Sequence, residues 1–334
     1  MYPIAGRPGA RSLLLWLGLF VSAGFTYLAV RGVDFTEVRA ALAESNYWWL
    51  APALGSLAIG IAVRALRWQL LFRRETRPPF RAAASALLVG IFVNSILPAR
   101  AGEAARVVVL NQQEGTSRVE AVGTVVLERA LDVVCLLLLL FVISPWLPQV
   151  SWLLPAAILG AVVAVGLAVV AWVLARFGDR PLRAALRPLA RLRFVDATRV
   201  DRAGANLAQG FAGLRDWRLL AAALVLTTFS WLWLSLSMWF VLRAFELGLS
   251  PVAGALVAVA VNLGMILPSS PAAVGVFEAA TLVALSAYGV PKEEALGTAL
   301  VAHVLNFLPF IIVGLLVLHA HAASLRRAEP RSLS

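Results

Sequence analysis

The residues with the most capacity for chemistry in this 334-residue chain are ionisable side chains set inside long apolar runs. Arg64 and Arg67 lie three apart, on one face of a helix. Arg100, Glu103 and Arg106 follow Pro98 and flank Gly102, and Asn94 precedes them. Glu128, Arg129 and Asp132 come next, with Glu128 and Asp132 one helical turn apart. Glu278 follows Pro268-Ser269-Ser270-Pro271 and Gly275, and His303 with Asn306 sits in the last apolar run. An ionisable group in hydrocarbon costs about 2.5–3.5 kcal/mol on insertion scales, so such groups are kept for a use. The chemistry this set suits is recognition of an anionic headgroup. Arginine presents a planar fork that matches phosphate oxygens two at a time. Pro/Gly breaks create half-helix N-termini whose free N–H groups attract the same anion. Glu103 and Glu278 can orient guanidiniums or exchange protons, and Ser269 and Ser270 add hydroxyls at the second break.

Each group also has a structural reading. Glu128, Arg129 and Asp132 can neutralise one another as ion pairs. Arg67 can snorkel toward the basic end of its helix. His303 can be a hydrogen-bonded core residue, and the lone Cys135, inside a Leu-rich run, a packing residue. Arg100, Glu103 and Arg106 differ because they accompany a break that already frees backbone groups, and this favours a functional role.

Signatures of catalysis are missing from the sequence. It contains no D-x-D, G-x-x-x-x-G-K-[ST], H-E-x-x-H or G-x-S-x-G motif. Three His and one Cys are too few for a transition-metal site. We therefore expect no catalytic residue, no metal, no cofactor and no enzymatic activity. The net charge of +11 comes mainly from Arg in a few loops between apolar runs, which is the positive-inside pattern and not a nucleic-acid footprint.

The elements that must position these groups are membrane helices. Hydrophobic residues make up 61% of the chain and charged residues 14%, against about 25% charged in soluble domains. The expected class is all-α: a polytopic helical membrane protein forming one domain over residues 1–334. Simple spans are expected at Ser12–Val30, Trp48–Phe72, Val119–Ile143, Trp152–Ala175, Leu219–Leu242 and Ala295–Leu318, with a short interfacial helix between Asp34 and Asn46. The segment 176–218 reads as a basic cytoplasmic loop or interfacial helix, with Arg180, Arg183, Arg187 and Arg191 on one face. Two regions are not simple spans: Ala82–Leu110 is interrupted at Pro98, and Val252–Tyr288 at Pro268–Pro271. Interrupted segments in corresponding positions point to a transporter site built on repeats. Flanking charge places the two as broken or re-entrant hairpins entering from opposite faces, and both termini in the cytoplasm of an inner-membrane protein.

The string Asn94-Ser95-Ile96-Leu97-Pro98-Ala99-Arg100-Ala101-Gly102-Glu103-Ala104-Ala105-Arg106 resembles the N-x-x-x-P-x-R-x-G-E-x-x-R signature of the lysylphosphatidylglycerol synthase transmembrane-region family of flippase-like proteins. Leu127-Glu128-Arg129-Ala130-Leu131-Asp132 resembles that family's E-R-x-x-D motif. Leu267-Pro268-Ser269-Ser270-Pro271 with Gly275-Val276-Phe277-Glu278 resembles its P-x-S-P-G-G-x-G-x-x-E segment, with Ala272 and Ala273 where the family usually has two glycines. The resemblance runs in order along nearly the whole chain. It implies a lipid-handling membrane region without the soluble aminoacyl transferase of the bifunctional synthases.

The expected function is a flippase that moves an anionic phospholipid or polyprenyl-linked lipid between leaflets. Its site would comprise Asn94, Pro98, Arg100, Gly102, Glu103, Arg106, Glu128, Arg129, Asp132, Pro268, Ser269, Ser270, Pro271, Gly275 and Glu278. The alternatives are an integral-membrane transferase acting on a lipid phosphate, and a non-transporting partner of a lipid-modifying enzyme. Membrane lipids are the expected partners, nucleic acid is not, and a second copy or a lipid-modifying enzyme are the protein partners open to it.

Overall fold

The computed structural model describes residues 8–97, 100–148, 217–266 and 269–328, with isolated helical positions between 155 and 169. It is all-α, and no strand occurs among the described residues. In chain order the helices are α1 (Pro8–Val30), α2 (Phe35–Glu44), α3 (Leu50–Leu71), α4 (Phe80–Ile96), α5 (Ala101–Glu114), α6 (Arg118–Ile143), α7 (Trp217–Ala244), α8 (Pro251–Gly264), α9 (Val276–Ser286) and α10 (Lys292–Ala328). Pro98, Pro268, most of the expected span 152–175 and the basic segment up to residue 216 lie outside the described residues.

Local sequence accounts for the boundaries. Asp34 opens α2 by accepting the Thr36 N–H at 2.7 Å, an N-cap bond that offsets one orphan donor of the first turn. Gly115 ends α5 in the left-handed region at φ +65°. Pro251 occupies the first turn of α8, where its missing N–H costs nothing. Pro309 lies inside α10 and removes one bond of its ladder.

Three segments are long and apolar enough to cross a bilayer by length and composition: Tyr47–Leu71, Arg218–Ala244 and Lys292–Ala320. At 26 residues α6 has the length, but Glu128, Arg129 and Asp132 interrupt its apolar face at mid-helix. The limbs of the broken segments are shorter. α5 and α8 have 14 residues each and α9 has 11, which gives about 21 Å and about 16 Å against a hydrocarbon core of ~30 Å. Packing joins them pairwise. α4 lies against α5, α8 against α9, and α3 makes its most extensive contact with α7. α10 packs on α4, α9 and α2, and α1 covers α9.

The main core gathers Leu57, Leu136, Leu140, Trp231, Leu234, Val257, Phe277 and Leu285. A second one gathers Trp68, Phe72, Leu87, Leu110 and Ala121 around the first broken segment. Large apolar side chains also face outward, among them Phe20, Trp48, Val283 and Leu316. In water such a surface would aggregate; here it is what a helix presents to lipid tails.

Candidate functional site: a buried cluster of arginines and carboxylates

Three helices bring the charged residues together, and α7 packs against them with Thr227 and Trp231. Arg64 and Arg67 come from α3, Glu103 and Arg106 from α5, and Glu128, Arg129 and Asp132 from α6, with Arg100 just ahead of α5. Arg67 is fully buried and sits between Glu128 and Asp132 of α6, with Nη1 2.6 Å from Asp132 Oδ1 and Nη2 3.2 Å from Glu128 Oε1. Its Nη1 also donates to Thr227 Oγ1 of α7 at 3.0 Å. The snorkelling expected for Arg67 is thus replaced by burial, because two carboxylates one turn apart meet its fork.

Arg106 completes the core of the cluster. Its Nη1 lies 3.2 Å from Glu128 Oε2, and its guanidinium stacks 4.7 Å from the Trp68 ring centroid. Trp68 is fixed in turn by an Nε1–H bond to Thr124 Oγ1 at 3.0 Å. Arg129 reaches three acids, Glu128 at 2.9 Å, Glu103 at 3.4 Å and Asp132 at 3.4 Å. Burial of ions at this depth is tolerable only with such pairing, since each lone charge would cost several kcal/mol.

Two arginines are bound less tightly. Arg64 makes no ion pair among the described residues; its guanidinium lies 4.4 Å over the Trp231 ring, and its Nε and Nη2 have no protein acceptor. Arg100 is partly exposed, and its one ion pair among the described residues is a 3.8 Å contact to Glu103. Five guanidiniums, those of Arg64, Arg67, Arg100, Arg106 and Arg129, therefore face three carboxylates, those of Glu103, Glu128 and Asp132. The cluster carries two surplus positive charges. A cavity of about 60 Å³ opens onto it, lined by Arg64, Asn94, Glu103, Arg106, Glu128 and Arg129 among others.

The first break is shaped by close backbone approach. Gly102 donates its N–H to Asn94 Oδ1 at 2.7 Å, so a side chain of α4 caps the start of α5. A Cβ on Gly102 would collide with the Gly90 carbonyl and the Asn94 side chain. Arg100 adopts φ +54°, a left-handed conformation uncommon for a non-glycine residue. From there its Nη2 reaches across to the second break and donates to the Met265 carbonyl at 2.9 Å. The two interrupted segments are therefore in direct contact.

The second break is organised differently from expectation. Ala272 and Ala273, where the related motif carries glycines, both lie at positive φ, +56° and +58°. Gly275, at φ +84°, packs so close to Ser22 and Thr26 of α1 that a Cβ would not fit. Ser22 Oγ accepts the Ser270 N–H at 2.8 Å, and the Ser270 hydroxyl turns back onto the Pro271 and Val274 carbonyls. Ser269 packs its backbone against Gly18.

Glu278 does not orient a guanidinium. Its Oε2 accepts the Gly275 N–H at 2.7 Å and its Oε1 lies 2.5 Å from His303 Nδ1. The structure thus unites the first-break and α6 residues, with Arg64 and Arg67, in one cluster, and sets Glu278 and His303 apart as a pair.

Sequence reasoning missed three contributors: Thr227, the rings of Trp68 and Trp231 that face Arg106 and Arg64, and the small-residue face of α1. The last had a signal, since Gly18, Ser22 and Thr26 recur every fourth residue on one helical face.

Among known families, the one described as Lysylphosphatidylglycerol synthase TM region matches residues 15–314. No curated protein gives a significant match. The match takes in all three helices of the cluster and both breaks, so the chain belongs to the lysylphosphatidylglycerol synthase TM region family, membrane proteins linked to lipid handling.

Proposed function

We propose that the protein is a flippase, moving an anionic phospholipid or polyprenyl-linked lipid between leaflets without itself catalysing a covalent reaction. The observation that carries this reading is the charge imbalance of the largely buried cluster. Ion pairing that served folding alone would match cation to anion, whereas here two guanidiniums exceed the carboxylates. A phosphate group carries the complementary charge and supplies acceptors for the donors that Arg64 and Arg106 leave without protein partners. The position supports the reading as well. The cluster abuts the point where two short, interrupted segments meet, and irregular backbone at membrane depth persists only where protein or a wet cavity surrounds it. The two segments act as re-entrant hairpins, and the termini face the cytoplasm of the inner membrane.

Reconstitution in liposomes tests this. With fluorophore-tagged phosphatidylglycerol and a polyprenyl phosphate, leaflet exchange should exceed that of protein-free vesicles and should exceed exchange of a zwitterionic analogue. Arg64→Gln and Arg100→Gln should each slow it by at least about tenfold, the size of one lost hydrogen bond to a charged group. Exchange indifferent to lipid charge, or absent, would overturn the proposal.

A further inference from the structure

We propose that Glu278 and His303 form a proton-binding dyad that couples lipid movement to a proton gradient. This inference rests on the transport reading above and adds its energy source.

The geometry is specific. His303 Nδ1 and Glu278 Oε1 are 2.5 Å apart across the α9–α10 contact, and both side chains are nearly buried, at 13% and 10% exposure. The imidazole lies against two aromatic rings, with centroids of Phe277 at 4.8 Å and Phe307 at 4.7 Å. The second carboxylate oxygen is already committed to the Gly275 N–H at 2.7 Å. Histidine changes charge near neutral pH, so a histidine facing one carboxylate in an apolar wall can bind and release a single proton there. Binding it makes the pair neutral overall; releasing it leaves one buried negative charge. Protonation therefore changes the net charge buried at the α9–α10 contact by one.

Among the described residues, no other ionisable side chain forms an ion pair or hydrogen bond with Glu278 or His303. α8 carries no ionisable residue. On α3, Arg64 lies over Trp231 and Arg67 is held by Asp132. Tyr27 of α1, Glu37, Arg39 and Glu44 of α2, Arg81 of α4, Arg218 and Arg243 of α7 and His319 of α10 are exposed. Arg11 lies in the first turns of α1, and Arg326 and Arg327 in the last turns of α10. Lys292 is bound to the Leu28 and Arg31 carbonyls, and Glu293 and Glu294 share the first turn of α10 with it, more than two turns before His303. Tyr288 lies in the turn beyond α9.

The dyad is also placed to transmit. α9 packs on α8, and the Met265 carbonyl just beyond α8 accepts a bond from Arg100, one of the two loosely held arginines. On the other side, Pro309 interrupts α10 six residues after His303 and lets the helix bend there. A proton arriving at the dyad thus acts on the segment that Arg100 grips.

The full-length protein in liposomes with tagged phosphatidylglycerol and an imposed pH difference of one unit tests the coupling. With one proton per lipid, the wild type should shift the steady-state leaflet ratio by about tenfold. His303→Gln, which keeps a hydrogen-bonding side chain but cannot ionise, should show no shift, and Glu293→Gln should respond like wild type. Wild-type exchange that ignores the gradient, or a His303→Gln variant that still responds, overturns this inference alone; no wild-type exchange overturns the transport reading with it. Nitrogen NMR of the imidazole reads the site without transport. The Nδ1 signal of His303 should move in Glu278→Gln, and a signal that the substitution leaves unchanged removes the dyad.

Discussion

Arg67 and Arg64 are three residues apart on the same helix, yet the structure assigns them opposite tasks. Arg67 is fully enclosed by Asp132, Glu128 and Thr227, so neutralising it strands two buried carboxylates. Arg67→Gln should destabilise the protein by about 3–5 kcal/mol, seen as a large fall in the thermal midpoint in detergent. Arg64→Gln removes a cation that stacks on Trp231 but satisfies no acid, so it should cost under about 1 kcal/mol while lipid exchange collapses. Equal stability loss in the two variants would show that Arg64 is part of the folding framework. Arg106 belongs with Arg67, because it holds Glu128 as well as lining the cavity, and Arg106→Gln should lower stability and exchange together.

Both breaks in the helices depend on backbone that ordinary side chains resist. Gly102 lets α4 and α5 approach until the Gly90 carbonyl occupies the space a Cβ would need. Gly102→Ala should therefore pry the helices apart and cost about 3 kcal/mol, the upper end of overpacking penalties, with loss of the folded peak in size-exclusion chromatography. The second break carries the opposite lesson. Ala272 and Ala273 hold left-handed conformations that cost non-glycine residues about 1–2 kcal/mol each. Ala272→Gly or Ala273→Gly should stabilise the protein by about 1 kcal/mol, after the extra unfolded-state entropy of glycine is deducted. A lowered thermal midpoint in both would show that the alanine methyl groups make contacts worth more than the strain they bear.

The arrangement of the whole chain follows from where its ends of helices meet. Glu120 at the start of α6 pairs with Arg73 at 3.3 Å and accepts from Thr76 at 2.8 Å, so the end of α3 and the start of α6 share one face. Trp146 follows the far end of α6, after 26 helical residues or about 39 Å. Single cysteines replacing exposed Arg74 and Trp146 in an otherwise cysteine-free background should be labelled from opposite sides of the membrane. Labelling of both from the same side would show that α6 does not cross, and would remove the enclosure that the buried cluster requires.

Composition and pattern by themselves determined that this is a helical membrane protein, where most of its helices begin and end, and which two segments are interrupted. The reason is physical. A bilayer demands long apolar runs, and Pro, Gly and charge within them are costly enough to stand out. The motif residues Arg100, Glu103, Arg106, Glu128, Arg129 and Asp132 were legible for the same reason, as groups too expensive to be incidental. Pairing was not legible, because a carboxylate 60 residues from an arginine carries no local sign of it. Only tertiary structure decided that Arg67 is enclosed while Arg64 is left without an acid, since both lie on the same face of α3 and differ in which facing helix each meets. It also decided that Glu278 joins His303 of α10 and not the arginines, a choice set by the packing of α9 between α1, α8 and α10.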